Sequence, residues 1–363
     1  MHSVIDQTSK RKKEHLELSL NADVAFKTKT NGFENYEFIH DASTEVEIDK
    51  ISFGTKFFGK KISFPFIISC MTGGTEEAEN INAQLAIAAE ELQIPVGVGS
   101  QRQALENLPV RQAGENFRKS YEIIRKNAKT VPVLGNLGAA ELVKLKSFKP
   151  VQMLIDLVEA DAFVIHLNPL QELLQPEGTP NFKGLLKSLK KVIREISVPV
   201  IVKEVGAGIC SKAAKKLLEV GVKGIDVAGA GGTSWAGIEM LRNKKEVDDP
   251  SMSDLNGYFW DWGSPTSYCL KDCSKLKKNY RFILIGSGGI NSGVDAAKAF
   301  ALGADYVASA RIILKSLDGN GIEGVKNLVH SWFETIRKIM FLTGSNSLKD
   351  LRKKKLIRRE LFY

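Results

Sequence analysis

The sequence predicts a (β/α)8 TIM barrel with an N-terminal extension and an insertion in the loop after strand six. Three observations predict it. From about residue 62, short aliphatic runs end in glycine or a polar residue and are followed by amphipathic segments. These runs are apolar throughout rather than alternating, the pattern of parallel strands covered on their other face. About eight such units over about 280 residues suit a closed barrel better than an open doubly wound sheet. No composition shift divides the region. The chain therefore reads as an extension and barrel cap (1–60), a barrel (61–345) carrying a loop insertion (238–280), and a basic tail (346–363).

The elements follow in order. "ISFPFIISCMTGG" is the first strand, and "EEAENINAQLAIAAEEL" the helix after it. "IPVGVGSQR" pairs with a helix over about 113–127, "VPVLGNLG" with "VQMLIDLVEA", and "DAFVIHLN" with "FKGLLKSLKKVIREI". "VPVIVKEVG" precedes "SKAAKKLLEV", and "GIDVAGAGG" opens the insertion, rich in Asp, Trp, Tyr and Lys. "FILIGSGG" with "SGVDAAKAFAL", and "DYVASARIIL" with "VKNLVHSWFETIRKIM", complete the set. Ahead of them all, "EVEIDKISFGTKFFGKKI" reads as a β-hairpin cap.

Composition narrows the class. With 43% hydrophobic and 26% charged residues the chain is an ordinary globular protein, and its 31 glycines gather at strand ends. The net charge of +9 is concentrated in "SKRKKEH" (9–15) and "KDLRKKKLIRRE" (349–360). Such a chain suits nucleic acid, an anionic membrane surface or an anionic small molecule, and charge alone does not choose. No basic face interleaved with aromatics argues for nucleic acid. No apolar run reaches membrane-spanning length. The tail is expected to be solvated or oligomer-facing. Cys269 and Cys273 are spaced C-x3-C without a second pair, which does not predict zinc. Cys70 and Cys210 follow strand-like runs and are expected to be buried thiols. Four cysteines make no disulfide framework, and the N-terminus has no apolar h-region, so a reducing, cytoplasmic setting is expected.

In a barrel the chemistry lies at the C-terminal ends of the strands. "HLNPLQE" (166–172) follows the buried run "DAFVI" and brings His166, Asn168, Gln171 and Glu172 to that rim. Pro169 excludes a helix running through its middle. "IGSGGI" (285–290) follows strand seven and opens a helix, so Gly288, Gly289, Ile290 and Asn291 offer backbone to an anion. Ala310 and Arg311 at strand eight adjoin them, and "GAGGTSW" (229–235) repeats the theme with Thr233. A phosphate at strands six to eight fits FMN. Lys203, ending strand five, needs an anion: either the reduced flavin ring or Glu204 beside it. Met71, Thr72, Gly73 and Ser100 offer amides and a hydroxyl to the ring's other edge, and Asn136 can meet its amide edge.

At this point the combination is recognisable. "RKKEH" (11–15), "MTGG" (71–74), "GSQR" (99–102), "GNLG" (135–138), "HLNPLQE", "VKEVGAGI" (202–209), "GAGGTSW", "GSGGI" and "ASAR" occur in order over nearly the whole chain. The chain resembles type 2 isopentenyl-diphosphate isomerases, flavin enzymes that interconvert isopentenyl and dimethylallyl diphosphate. The resemblance implies FMN held by Met71, Thr72, Gly73, Ser100, Asn136, Lys203, Thr233, Gly288 to Asn291, Ala310 and Arg311. It implies substrate contacts from Arg11, Lys12, His15, Ser100, Gln101, Arg102, His166, Asn168 and Gln171, with Mg²⁺ on Glu172. Gln171, Lys203 and His166 would carry catalysis beside reduced FMN, and NADPH would be the reductant. A homo-oligomer, tetramer or octamer, is expected. The physics agrees: Mg²⁺ takes one or two carboxylates plus phosphate oxygens and water, and arginines fork phosphates. The basic N-terminal segment would close over the substrate, from the same or a neighbouring subunit. The alternative is an FMN oxidoreductase of the 2-hydroxy-acid or dihydroorotate type. The first wants a His base with an Arg pair after strand seven, where "IGSGGINSG" has neither.

Overall fold

Eight short parallel strands close on themselves: β1 (Phe66–Ile68), β2 (Val96–Gly97), β3 (Val133–Gly138), β4 (Ala162–Leu167), β5 (Val200–Glu204), β6 (Gly224–Asp226), β7 (Ile283–Gly286) and β8 (Tyr306–Ser309). Neighbours in the barrel are neighbours in sequence, and β8 pairs with β1 to complete the circle. Each of the eight apolar runs supplies one strand. The computed structural model describes residues 2–106, 115–243 and 257–361. Part of the expected insertion, 244–256, lies outside the described residues.

Successive strand residues face opposite sides, and both sides are apolar. Ile67, Leu134, Ala162, Val164, Ile201, Ile285, Tyr306 and Ala308 point into the barrel. Phe66, Ile68, Phe163, Ile165, Val200 and Val202 face outward under the helices. The helix Glu76–Leu92 shows how the sequence sets its limits. Thr75 accepts from the Ala78 amide at its start, three glutamates occupy the first turn, and Gln93 ends it in left-handed backbone.

The lower end of the barrel is stoppered. The expected hairpin forms from Thr55–Phe57 and Lys60–Ile62, and its Phe57 and Ile62 join the inner cluster. Phe57 meets the Tyr306 ring edge-on at 5.2 Å.

Helices at the upper end include α1 (His2–Asn21), α2 (Pro169–Leu174), α3 (Trp235–Asn243), α4 (Thr266–Ser274) and α5 (Arg311–Leu342), the last broken by a kink at Asn320 and Gly321. Pro169 does not merely interrupt helix. It begins α2 at the first helical position, where its missing N–H costs nothing. The basic tail, expected to be solvated or oligomer-facing, keeps Lys353, Lys355, Arg358 and Arg359 exposed while its backbone is anchored. Leu351 is buried, Arg352 Nε donates to Ala304 O at 2.8 Å, and Ile357–Arg358 pairs antiparallel with Tyr36–Glu37. Among the described residues no helix is long and apolar enough to cross a membrane.

Register places the polar residues. Gly138 pairs with His166, His166 with Lys203, and Lys203 with Asp226. One row across β3 to β6 therefore delivers an imidazole, an ammonium and a carboxylate to the same level at the mouth.

Candidate active site

A cavity of about 520 Å³ occupies the mouth, lined by strand ends below and by α1 above. Its wall differs in chemistry from end to end.

One end is backbone. Gly229, Gly231 and Gly232 from β6 meet Gly288 and Gly289 from β7, beside Ala310 and Arg311. Gly231, Gly288 and Gly289 have φ of 110°, 98° and 69°, where only glycine is comfortable. The two turns touch directly, since a Cβ on Gly289 would lie 2.4 Å from Gly231 O. Asn31 Nδ2 donates to Gly289 O at 2.6 Å, and the Thr266 hydroxyl donates to Gly288 O. α5 opens at Arg311, so its first amides have no intrahelical carbonyl and face this end as anion donors. Gly289→Ala is expected to cost about 1–3 kcal/mol of strain. Urea unfolding measures it, and an unshifted midpoint would mean that the turns can part freely.

Arg311 does something the sequence did not disclose. Its guanidinium donates to Ser19 O and Ala22 O, both at 2.7 Å, and so fastens the C-terminal end of α1.

The middle is charged. Lys203 Nζ donates to its neighbour's carbonyl, Glu204 O, at 2.7 Å. The Glu204 carboxylate points the other way and accepts the amides of Val205, Gly206 and Ala207 at 2.6–2.8 Å. Alternation along β5 thus excludes the Lys203–Glu204 ion pair. Burial holds the Asp226 carboxyl above its usual range, while Lys203 and the Ser287 hydroxyl pull it back. Cys70 lines this wall and is half-buried, as Cys210 is elsewhere, whereas Cys269 and Cys273 are the buried thiols. Both are therefore less buried than expected, Cys70 because it lies just past the end of β1 and Cys210 because it stands at the N-cap of the helix Ser211–Glu219.

The far end is amide, imidazole and carboxylate. His166 Nδ1 lies 2.9 Å from Asn136 Oδ1. Burial, then Lys203, pushes its imidazole down to about 3, so it is neutral at ordinary pH. Asn168 Nδ2 donates to Gln171 Oε1 at 3.2 Å and Glu172 Oε1 at 3.1 Å, and Glu172 Oε2 accepts the Thr179 amide at 2.7 Å. Asn168 Oδ1 is buried without a partner. An orphaned oxygen beside a carboxylate is a hard donor set suited to Mg²⁺, which keeps water and phosphate oxygens for its other positions.

α1 roofs the cavity with Arg11, Lys12, His15, Leu16 and Ser19. It is the chain's own segment over its own barrel. Lys12 Nζ reaches Gly73 O, Ser100 O at 3.2 Å and the Tyr121 hydroxyl at 3.0 Å. Burial, then Arg11, pushes its ammonium down to about 7. His15 Nε2 stands 2.9 Å from Glu239 Oε1 and meets the Trp235 ring edge-on at 5.1 Å. Arg102 is held by Glu106 and Glu141 at 2.7 and 3.3 Å. Met71, Thr72, Gly73, Ser100 and Thr233 also line the cavity. Gln101 and Ile290 do not. Gln101 is buried in the wall, where its amide serves Leu154 O and the Asn136 N–H.

Sequence reading missed the group behind Gln171. Glu239 is fully buried, accepts from Gln171 Nε2 at 2.9 Å, and is paired with Arg242. Arg242 also binds Glu14 at 2.9 Å and Glu177 at 3.0 Å. The spacing of Trp235, Glu239 and Arg242 on one helical face, just after "GAGGTS", was a usable signal. Asp226 and Tyr121 gave none without the register.

The chain matches the model of the FMN-dependent dehydrogenase family over residues 6–146 and 178–358. It is 43% identical to an isopentenyl-diphosphate delta-isomerase of Pelodictyon phaeoclathratiforme, covering 97% of both chains. It is 40% identical to one of Methanothermobacter thermautotrophicus, covering 96% of this chain and 93% of that one. Among solved structures, mandelate oxidase superposes with a TM-score of 0.63 at 16% identity, over 98% of both chains, which speaks for the fold. Matched end to end by relatives at this identity, and carrying the same barrel as the flavin oxidases, the chain belongs to the isopentenyl-diphosphate delta-isomerase family of FMN-dependent proteins.

Proposed function

We propose that this chain interconverts isopentenyl and dimethylallyl diphosphate, with FMN across the barrel mouth and Mg²⁺ on the diphosphate. One observation carries the reading. The general flavin-dehydrogenase model fits on both sides of residues 147–177 but not within them, and that gap holds His166, Asn168, Gln171 and Glu172. The shared part of the barrel supplies the phosphate end; the unshared part supplies the cluster of amides and carboxylate.

The isomerisation adds a proton at one carbon and removes another, with no net electron transfer. Reduced FMN, when bound, would supply an electron-rich ring able to exchange a proton. The chain's residues do the rest. The glycine turns and the α5 amides would hold the flavin phosphate, Lys203 would balance negative charge on the ring, and Asn136 would meet its edge. Glu172 and Asn168 Oδ1 would hold the metal. Arg11 and Arg102 would fork phosphate oxygens, with Lys12 and His15 beside them. His166, kept neutral, offers a hydrogen bond without adding charge. Gln171, its amide oriented by Asn168 and Glu239, faces the reacting carbons. α1 and the stoppered lower end exclude water from a cationic transition state.

We read NADPH as the reductant of the flavin. The exposed Tyr258, Trp262 and Tyr268 support self-association, which we read as a tetramer or octamer, and four free thiols support a reducing, cytoplasmic setting. The deciding assay is anaerobic: FMN-loaded protein, Mg²⁺ and NADPH, with alkene migration followed by NMR. Migration without net consumption of NADPH is expected. Oxidation of a 2-hydroxy acid in its place would establish the oxidoreductase alternative. Glu172→Gln is expected to raise the Mg²⁺ concentration for half-maximal rate by about 10–100-fold. Full turnover at limiting Mg²⁺ would remove Glu172 from the metal.

A further inference from the structure

Three thiols meet outside the cavity, where the isomerisation has no use for them. Cys210 stands at the N-cap of the helix Ser211–Glu219, and Cys269 and Cys273 lie on successive turns of α4. Cys210 Sγ is 3.6 Å from Cys269 Sγ, van der Waals contact for two sulfurs, whereas a disulfide draws them to about 2.05 Å. Gly208 is packed so tightly on α4 that a Cβ there would lie 2.8 Å from Cys269 Sγ.

The two sulfurs are not equivalent. Cys210 is half-buried and reachable, while Cys269 is fully buried. The hydrogen bond between the two thiols, with help from Ser264, draws the Cys210 thiol down to about 6 against burial and the nearby Asp272 carboxylate. The same contact, with burial, pushes the Cys269 thiol up. The start of the Ser211–Glu219 helix also favours a thiolate at Cys210. A reachable thiolate backed by a buried protonated thiol is the arrangement in which the first sulfur is oxidised and the second resolves it. Cys273 is occupied elsewhere, its thiol donating to Ile209 O at 3.2 Å.

We propose that Cys210 and Cys269 are a redox-modification site, closing to a reversible disulfide on contact with a hydroperoxide. The Cys210 thiolate attacks one peroxide oxygen and the O–O bond breaks. With hydrogen peroxide this gives water, after proton uptake, and a Cys210 sulfenic acid. Cys269 sulfur then attacks Cys210 sulfur, the S–O bond breaks, and hydroxide leaves as water with the Cys269 proton. Two thiols lose two protons and two electrons, and one hydrogen peroxide becomes two waters. A dithiol reductant reverses the change. The pair lies on the helix whose Thr266, three residues before Cys269, holds the glycine turn at Gly288.

The test is mass spectrometry of the FMN-loaded protein after equimolar hydrogen peroxide, alkylation and digestion without reduction. Peptides containing Cys210 and Cys269 are expected to be joined, two hydrogens lighter than the separate pair, and freed by dithiothreitol. Cys210→Ser should abolish the link, Cys273→Ser should keep it, and Cys269→Ser should leave a sulfenic acid on Cys210. Four results would overturn the proposal: both thiols remaining alkylatable, a link to Cys273, a link that survives dithiothreitol, or overoxidation of Cys210 with Cys269 still reduced. The unsubstituted protein decides the matter even if a variant fails to fold.

Discussion

Glu239→Gln is expected to lower turnover about a hundredfold, the order of loss that follows from misplacing a group at the reacting centre by an ångström or so. Glu239 is fully buried, and its two oxygens serve three partners: Gln171 and His15 on one, Arg242 on the other. The substitution keeps the shape but gives Gln171 an amide to face where it had a carboxylate. The amide of Gln171 then loses its fixed direction. Glu239→Ala is the harsher change. It leaves Arg242 partly uncompensated and a cavity beside it, for an expected loss of about 3–5 kcal/mol in denaturant unfolding. The pH dependence has a definite sign. Despite burial, His15, Gln171 and Arg242 hold the Glu239 carboxyl down to about 2. Its contribution is therefore complete above its ordinary value of 4.5 and disappears as pH falls from there toward 2. The variants should lack that limb of the acid unfolding curve. An unchanged curve together with wild-type turnover would remove Glu239 from the site.

Lys203→Met is expected to reduce turnover by about 10²–10³-fold, as removing one preorganised charge or donor commonly does. The register aligns Lys203 with His166 on one side and Asp226 on the other. Without the ammonium, the buried Asp226 loses the cation that lowers its pKa, and the carboxyl protonates more readily. His166 moves too. Lys203 is the second cause, after burial, of its low pKa, so the imidazole rises toward its ordinary range. Two readouts separate an electrostatic role from mere packing. The two-electron potential of the bound flavin should fall, at about 30 mV for each 1.4 kcal/mol of lost stabilisation of the reduced form. Lys203→Arg should recover part of that shift. An unmoved potential alongside a large loss of stability would make Lys203 a structural residue only.

The barrel was legible because its signals are local. An apolar run, a glycine and an amphipathic segment repeat eight times, and each run became a strand. The glycine turns were legible for the same reason, since positive φ demands that residue. Register and long side chains defeated the reading elsewhere. Arg311 lines the phosphate end as expected, but no local pattern announces that its guanidinium reaches on to the carbonyls of Ser19 and Ala22. Gln101 lies between two cavity residues, yet its turn aims it into the wall. The spacing on α3 marks Glu239 as a candidate, but only the packing of α3 against α2 ties it to Gln171. Arg11 and Lys12 of the basic stretch line the cavity, but no local pattern shows that Arg311 and Arg242 anchor that helix.

The hairpin at one end of the barrel and α1 at the other have a joint kinetic consequence. With Phe57 and Ile62 filling the base, traffic passes beneath a helix clamped by Lys12, by Arg311 and, through Glu14, by Arg242. Entry of a reactant and escape of a product then require the same clamps to release.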